Sequence, residues 1–225
     1  MKHVIFCVRY CLLAMTCCLV SSPAIADDLP AVAGDIWNSS LVLSAGLTKE
    51  NHACSSPLLA QIQGGGNCGD YQTGLRFAYD HQYASTPSLG IEISYGDLGN
   101  ATASGIYTAA GGGPAKWQLK AKGWAIDQTG TFHVGGGLSI LGKVGLVRAG
   151  FAETFNSSVN GVPFSGSPVV NEEKTSLTFG VGIQYDFDRD IAVRAQFENF
   201  GFYSLYGGAP QVNLEMASAG LVLKF

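Results

Sequence analysis

Along most of this chain, large apolar residues alternate with small or polar ones at a period of two, and past residue 26 no apolar run approaches the ~20 residues a membrane helix needs. Between Tyr71 and Asp80 the odd positions are Tyr71, Leu75, Phe77 and Tyr79, broken only by Thr73, and the even positions are small or polar. Leu89, Ile91, Ile93 and Tyr95 repeat the pattern against Gly90, Glu92, Ser94 and Gly96. Leu177, Phe179, Val181, Ile183, Tyr185 and Phe187 repeat it again. Strict alternation marks strands whose two faces meet different surroundings.

Five more segments complete a set of eight, near residues 37–48, 117–132, 138–149, 191–200 and 213–225. The segment 117–132 is the least regular: Trp124 and Ile126 share a face, but the phase upstream of them is broken. The connections alternate in length. Long links are expected at 49–70, 97–116 and 150–173, short ones at 81–88, 133–137 and 186–189, and an intermediate one at 201–212. Transmembrane barrels alternate short turns with longer loops in this way. Lipid offers the backbone no hydrogen-bond partner, so strands in a bilayer must close and eliminate their edges. The expected fold is all-β: an eight-stranded antiparallel transmembrane β-barrel, an up-and-down meander. The competing reading, a soluble barrel, needs a charged exterior. Charged residues are only 13% of the chain, against about 25% in typical soluble domains. Tyr71, Tyr79, Tyr95, Tyr185, Phe187 and Phe225 fall at strand ends, where aromatic girdles belong.

The N-terminus reads as a processing segment. Lys2, His3 and Arg9 precede an apolar stretch from Tyr10 to Val20, and Ala24-Ile25-Ala26 is a small-x-small cleavage site. The expected division is a cleaved signal over 1–26 and a barrel over 27–225, with 27–36 a short periplasmic lead-in. Cleavage removes Lys2 and Arg9 and leaves 11 basic and 17 acidic residues, a net of −6. That balance argues against nucleic acid as a partner. Cys7, Cys11, Cys17 and Cys18 leave with the signal, while Cys54 and Cys68 remain in a chain sent to an oxidising compartment. A disulfide is the natural reading. The competitor, a metal site with His52, lacks a C-x-x-C spacing, and no metal or cofactor is expected.

The runs Gly90–Gly99, Leu141–Gly145, Gly180–Phe187 and Val193–Phe197, in this order, resemble the transmembrane domain of outer membrane protein A. The likeness covers about Gly46 to Phe225. The ending Ser218–Phe225 resembles the barrel-assembly signal of outer-membrane proteins, which would place that signal on Gly220, Leu221, Leu223 and Phe225. The resemblance implies periplasmic N- and C-termini and four longer loops outside. It implies contact with outer-membrane lipids and lipopolysaccharide, and with periplasmic chaperones and the barrel-assembly machinery during biogenesis. It also places Gln128 and Gln184 inward, where relatives can carry a basic and an acidic residue. Two-domain relatives carry a peptidoglycan-binding domain after the barrel, and that tethering role is not expected here.

The pattern turns Arg76, Glu92, Lys143, Arg194 and Glu198 into the lumen, with Asp127 beside them. Isolated charges there are costly unless paired, so an ion-pair network centred on Glu92 is expected, with Arg194, Arg76 or Lys143 as partners. Such a network either fills the barrel or forms a selectivity cluster. An eight-stranded barrel has room for side chains and little else, which favours filling. A lipid-modifying enzyme would need a serine, a histidine and an acid together on one wall. His52 falls in an expected loop, His81 and His133 fall at expected turns, and the pattern sets no serine beside His133, so catalysis is not expected. The triplets Gly64–Gly66 and Gly111–Gly113 read as surface loops. The expected role is a non-enzymatic envelope barrel whose loops contact a host or phage partner. A narrow channel for small solutes is the alternative.

Overall fold

The computed structural model describes residues 39–51, 56, 59–66, 71–85, 88–108, 112–159, 162–205 and 211–225. The signal segment with Ala24 and Ala26, and both Cys54 and Cys68, lie outside the described residues.

Among the described residues nine strands form: β1 (Ser39–Asn51), β2 (Ile62–Gly66), β3 (Tyr71–Ser85), β4 (Ser88–Tyr107), β5 (Gly112–Gly135), β6 (Leu138–Val159), β7 (Val162–Asp186), β8 (Ile191–Tyr203) and β9 (Val212–Lys224). Eight of them close a ring in the order β1-β3-β4-β5-β6-β7-β8-β9, and all pairings are antiparallel. The ring closes where β1 meets β9, from Ser40 opposite Lys224 to Asn51 opposite Asn213. At the turn end, the Phe225 amide donates to the Ser39 carbonyl at 3.0 Å and extends that seam by one bond.

The eight-stranded meander is the architecture the alternation implies, but two details differ. The links expected at 97–116 and 150–173 are mostly strand: β4 runs to Tyr107, β5 starts at Gly112, β6 runs to Val159 and β7 starts at Val162. The first link holds a ninth strand, since β2 pairs with β4 from Ile62 opposite Tyr107 to Gly66 opposite Ala103. Gly64–Gly66 is thus strand rather than free loop. A Cβ at Gly64 would lie 2.5 Å from the Gly105 Cα, so glycine is what lets the two backbones approach.

Side-chain parity follows each strand throughout, but its chemistry reverses part-way up. Near the turns the outer face is apolar and exposed, with Phe77, Ile93, Ile126, Val144, Val181 and Leu221 forming a belt. Tyr95 and Trp124 pack at 4.7 Å on its far edge, and Tyr185 and Phe187 at 5.2 Å near the turns. Inside the belt the buried residues are mostly polar, apart from a small apolar cluster of Val42, Ala78, Ala192 and Val222. Beyond it, Trp117, Leu119, Phe151, Phe155, Tyr203 and Leu214 point inward and form the apolar core, while Lys116, Lys120 and Arg148 face out. Each long strand therefore crosses from a lipid-facing regime to a water-facing one without changing its geometry.

Candidate functional site

Within the belt, the register brings the inward charges of four strands together. Arg76 on β3, Glu92 on β4, Lys143 on β6 and both Arg194 and Glu198 on β8 are buried in the lumen. Glu92 is the hub. It accepts from Arg76 Nη2, from Lys143 Nζ at 2.9 Å and from Arg194 Nη1 at 3.1 Å. Glu198 faces Arg76 Nε at 3.3 Å and also pairs with Lys143. Gln184 accepts from Arg194 Nε at 3.0 Å and donates to Asp186 at 2.8 Å. Each long cation thus bridges carboxylates from different strands, and the cross-links span the barrel. In a dry interior such groups are tolerable only when mutually satisfied.

Two further acids belong to this layer. Asp80 on β3 lies opposite Glu92 in the sheet and accepts from Arg194 Nη2 at 3.2 Å. Its signal is its even position in the alternating run 71–80. Asp127 on β5 also faces in, next to Glu92 in register. Gln128 does not. Inward parity on β5 belongs to the odd residues, so a one-residue step carries Gln128 to the outer face. There its amide donates to the Tyr83 hydroxyl at 2.6 Å and the Gly90 carbonyl at 2.9 Å.

At the turn end, Ser139 Oγ lies 2.7 Å from His133 Nδ1. The sequence pattern gave no such neighbour because the β5–β6 pairing, His133 opposite Ser139, is set by the turn. No carboxylate joins that pair among the described residues. His81 similarly meets Ser39 Oγ at 3.0 Å.

Beyond the belt, buried Glu153 accepts from the indole Nε1 of Trp117 and from Ser56 Oγ at 2.5 Å. A residue of the first link is thereby tied to β5 and β6 inside the apolar half. Neither Glu153 nor Trp117 stood out in the sequence, because both sit where the polarity of the strands has reversed. Of the C-terminal residues, Leu221, Leu223 and Phe225 face outward and Gly220 faces Ser44 across the β1–β9 seam. The rings of Phe225 and Tyr79 lie 6.5 Å apart.

A closed antiparallel ring with an apolar outer belt is an integral membrane barrel. The chain belongs to the outer membrane protein beta-barrel domain family, which it matches over residues 29–225. Its fold is similar to that of Neisserial surface protein A, with 13% identity over 83% of this chain and 97% of that one, at a TM-score of 0.50. Ail of Yersinia pestis matches with 14% identity over 83% of this chain and 99% of that one, at 0.46. The N-terminal barrel domain of Pseudomonas aeruginosa OprF matches with 15% identity over 84% and 98%, at 0.45. No curated protein matches significantly. The chain is an integral protein of the bacterial outer membrane.

Proposed function

We propose that this protein is a non-enzymatic structural barrel that supports the outer membrane and displays its far-end extensions at the cell surface for contact with a host or phage partner. The observation that carries this reading is the filled lumen: cross-linked charges at the level of the belt, and packed apolar side chains above them. On this reading the turns and both termini face the periplasm, and lipopolysaccharide surrounds the outer half. Planar-bilayer recording on the refolded chain tests it, and no resolved conductance steps are expected. Stable single-channel currents would replace this reading with a narrow solute channel. Orientation is checked separately, by protease cleavage of intact cells at the long-strand end.

Assembly is proposed to depend on Phe225. The last strand must be recognised and must close against β1, and Phe225 forms the final bond of that seam. Deleting Phe225 should lower the heat-modifiable, folded fraction in membranes. An unchanged folded yield at ordinary expression would refute the assembly role.

Cys54 and Cys68 are proposed to form a disulfide in the first link. A loop of that size restricts the unfolded chain by about 3 kcal/mol in the chain-entropy model. Alkylation with and without reductant should shift the mass only after reduction. Two freely alkylated thiols in the oxidised protein would rule the bond out.

A further inference from the structure

On the outside of the barrel, the cations beyond the belt gather on one face. β5 turns Lys116, Lys120 and Lys122 outward, β6 adds Arg148, and all four are exposed. Arg148 shares a rung with Trp124, which with Tyr95 marks the far edge of the belt. Lys122, Lys120 and Lys116 follow two, four and eight residues beyond Trp124 on the same side of the strand. A strand rises about 3.4 Å per residue and barrel strands tilt by about 40°. The three lysines therefore stand roughly 5, 10 and 20 Å past the belt edge.

Ion pairing divides the cations of the far half into two groups. Lys122 lies 3.4 Å from Asp97, and Arg148 lies 2.6 Å from Glu173. Lys174 lies 2.9 Å from Glu172, and Lys49 is opposite Glu215 in the β1–β9 register. Lys116 and Lys120 have no acidic partner among the described residues. Lys120 lies between Asn100 on β4 and Ala152 on β6, and Lys116 between Ser104 and Asn156. The wall around these two is uncharged and carries hydroxyls and amides, with Gln118 between them on β5.

The depth of the two uncompensated lysines selects the anion they fit. A headgroup region adds only about 5–8 Å to each side of the hydrocarbon core. A phospholipid phosphate therefore lies at the level of Lys122 and Arg148, which already have acids, and Lys116 stands well past it. An anion that reaches both bare lysines has to be anchored in the leaflet and still stand tall. Acyl chains against the belt and phosphates carried on a sugar stem meet both conditions. We propose that the outer face of β4, β5 and β6 is a docking surface for lipopolysaccharide, whose sugar-borne phosphates pair with Lys120 and Lys116. The hydroxyls and amides around the lysines meet the hydroxyls of its sugars. The glycolipid is thereby held on one side of the barrel, beyond merely surrounding it. This inference rests on the proposed orientation, with the long-strand end outside.

The test titrates the refolded barrel, in detergent at low ionic strength, with three probes: labelled lipopolysaccharide, the same material after dephosphorylation, and phosphatidylglycerol. A lysine beside an anionic headgroup contributes about fivefold in affinity, so Lys116→Gln with Lys120→Gln should weaken binding of intact lipopolysaccharide roughly 25-fold. Lys49→Gln, on β1 and outside this face, should leave it unchanged. Added salt should shrink the difference between the double variant and the unmodified protein. Heat-modifiability shows that each variant is folded. Dephosphorylated lipopolysaccharide bound as tightly as the intact form would overturn the site, and so would unchanged binding by the double variant. Phosphatidylglycerol bound as tightly, and weakened equally in the double variant, would make the partner an ordinary anionic phospholipid and overturn it as well. These titrations use purified protein, so their failure is distinct from a failure of the orientation, which protease cleavage of intact cells reads.

Discussion

Replacing Glu92 with alanine should lower the stability of the barrel by about 3–5 kcal/mol, the range found when one partner of a buried ion pair is removed. Glu92 is the acid that Arg76, Lys143 and Arg194 all share. Without it, Arg76 and Lys143 must both lean on Glu198, and Arg194 on Asp80. Two buried cations then share one carboxylate, and the donors that all three cations directed at Glu92 are left without an acceptor. The reading is the urea midpoint of refolded protein, with the heat-modifiable fraction as the check on folding. Ion flux should not rise, because the three long cations still occupy the lumen. A conductance that appears or is retuned in Glu92→Ala, with the midpoint unchanged, would mean the cluster is a selectivity element rather than a structural plug. Glu92→Gln separates shape from charge. It keeps the volume and some hydrogen bonds, so a loss nearly as large as that of alanine would assign the effect to electrostatics.

The sequence is most legible where the barrel crosses lipid. There the two faces differ as much as they can, and parity alone identifies Phe77, Ile93 and Val181 as outward and Arg76, Glu92 and Arg194 as inward. It becomes hard to read beyond the belt, for a physical reason. On β5 the apolar residues move from even positions, Trp124 and Ile126, to odd ones, Trp117, Leu119 and Ala121. The strand has not slipped. The solvent outside has changed from lipid to water, so the greasy side now belongs inside. In a single sequence that reversal looks like a broken pattern. The same reversal on β6, from Val144 and Leu146 outward to Val147, Ala149 and Phe151 inward, makes strand residues resemble a loop. Gln128 illustrates a different limit. A family likeness placed it inward, and one step of register sends it out. Within the lumen the alternation offered Arg194, Arg76 or Lys143 as partners for Glu92 without choosing among them, and gave nothing on which cation also reaches Glu198 or Asp80. Which cation reaches which acid depends on the stagger of strands far apart in the chain, as with Arg194 and Glu92.

The apolar half beyond the belt should fail separately from the ring in the membrane, and Trp117→Ala is the substitution that shows it. Trp117 is fully buried, with Phe155 opposite it on β6 and Ala103 opposite it on β4. Removing a buried tryptophan costs about 3–5 kcal/mol through lost burial and the cavity left behind. It also takes a donor from Glu153, whose other partner is Ser56 in the first link. A buried carboxylate deprived of a donor adds about 1–3 kcal/mol. The strain falls on the extensions of β4, β5 and β6, while the belt-level pairing and the Glu92 cluster lie below it. The expected result is early proteolytic cutting of the long-strand end, with the heat-modifiable ring retained. Glu153→Gln should show a milder form, because both donors reach the same oxygen, Oε1, and an amide oxygen there can still accept from them. If Trp117→Ala leaves the protease pattern and the urea midpoint unchanged, the far half is not held by this core. If the whole barrel unfolds in one step together with the ring, the two halves form one cooperative unit.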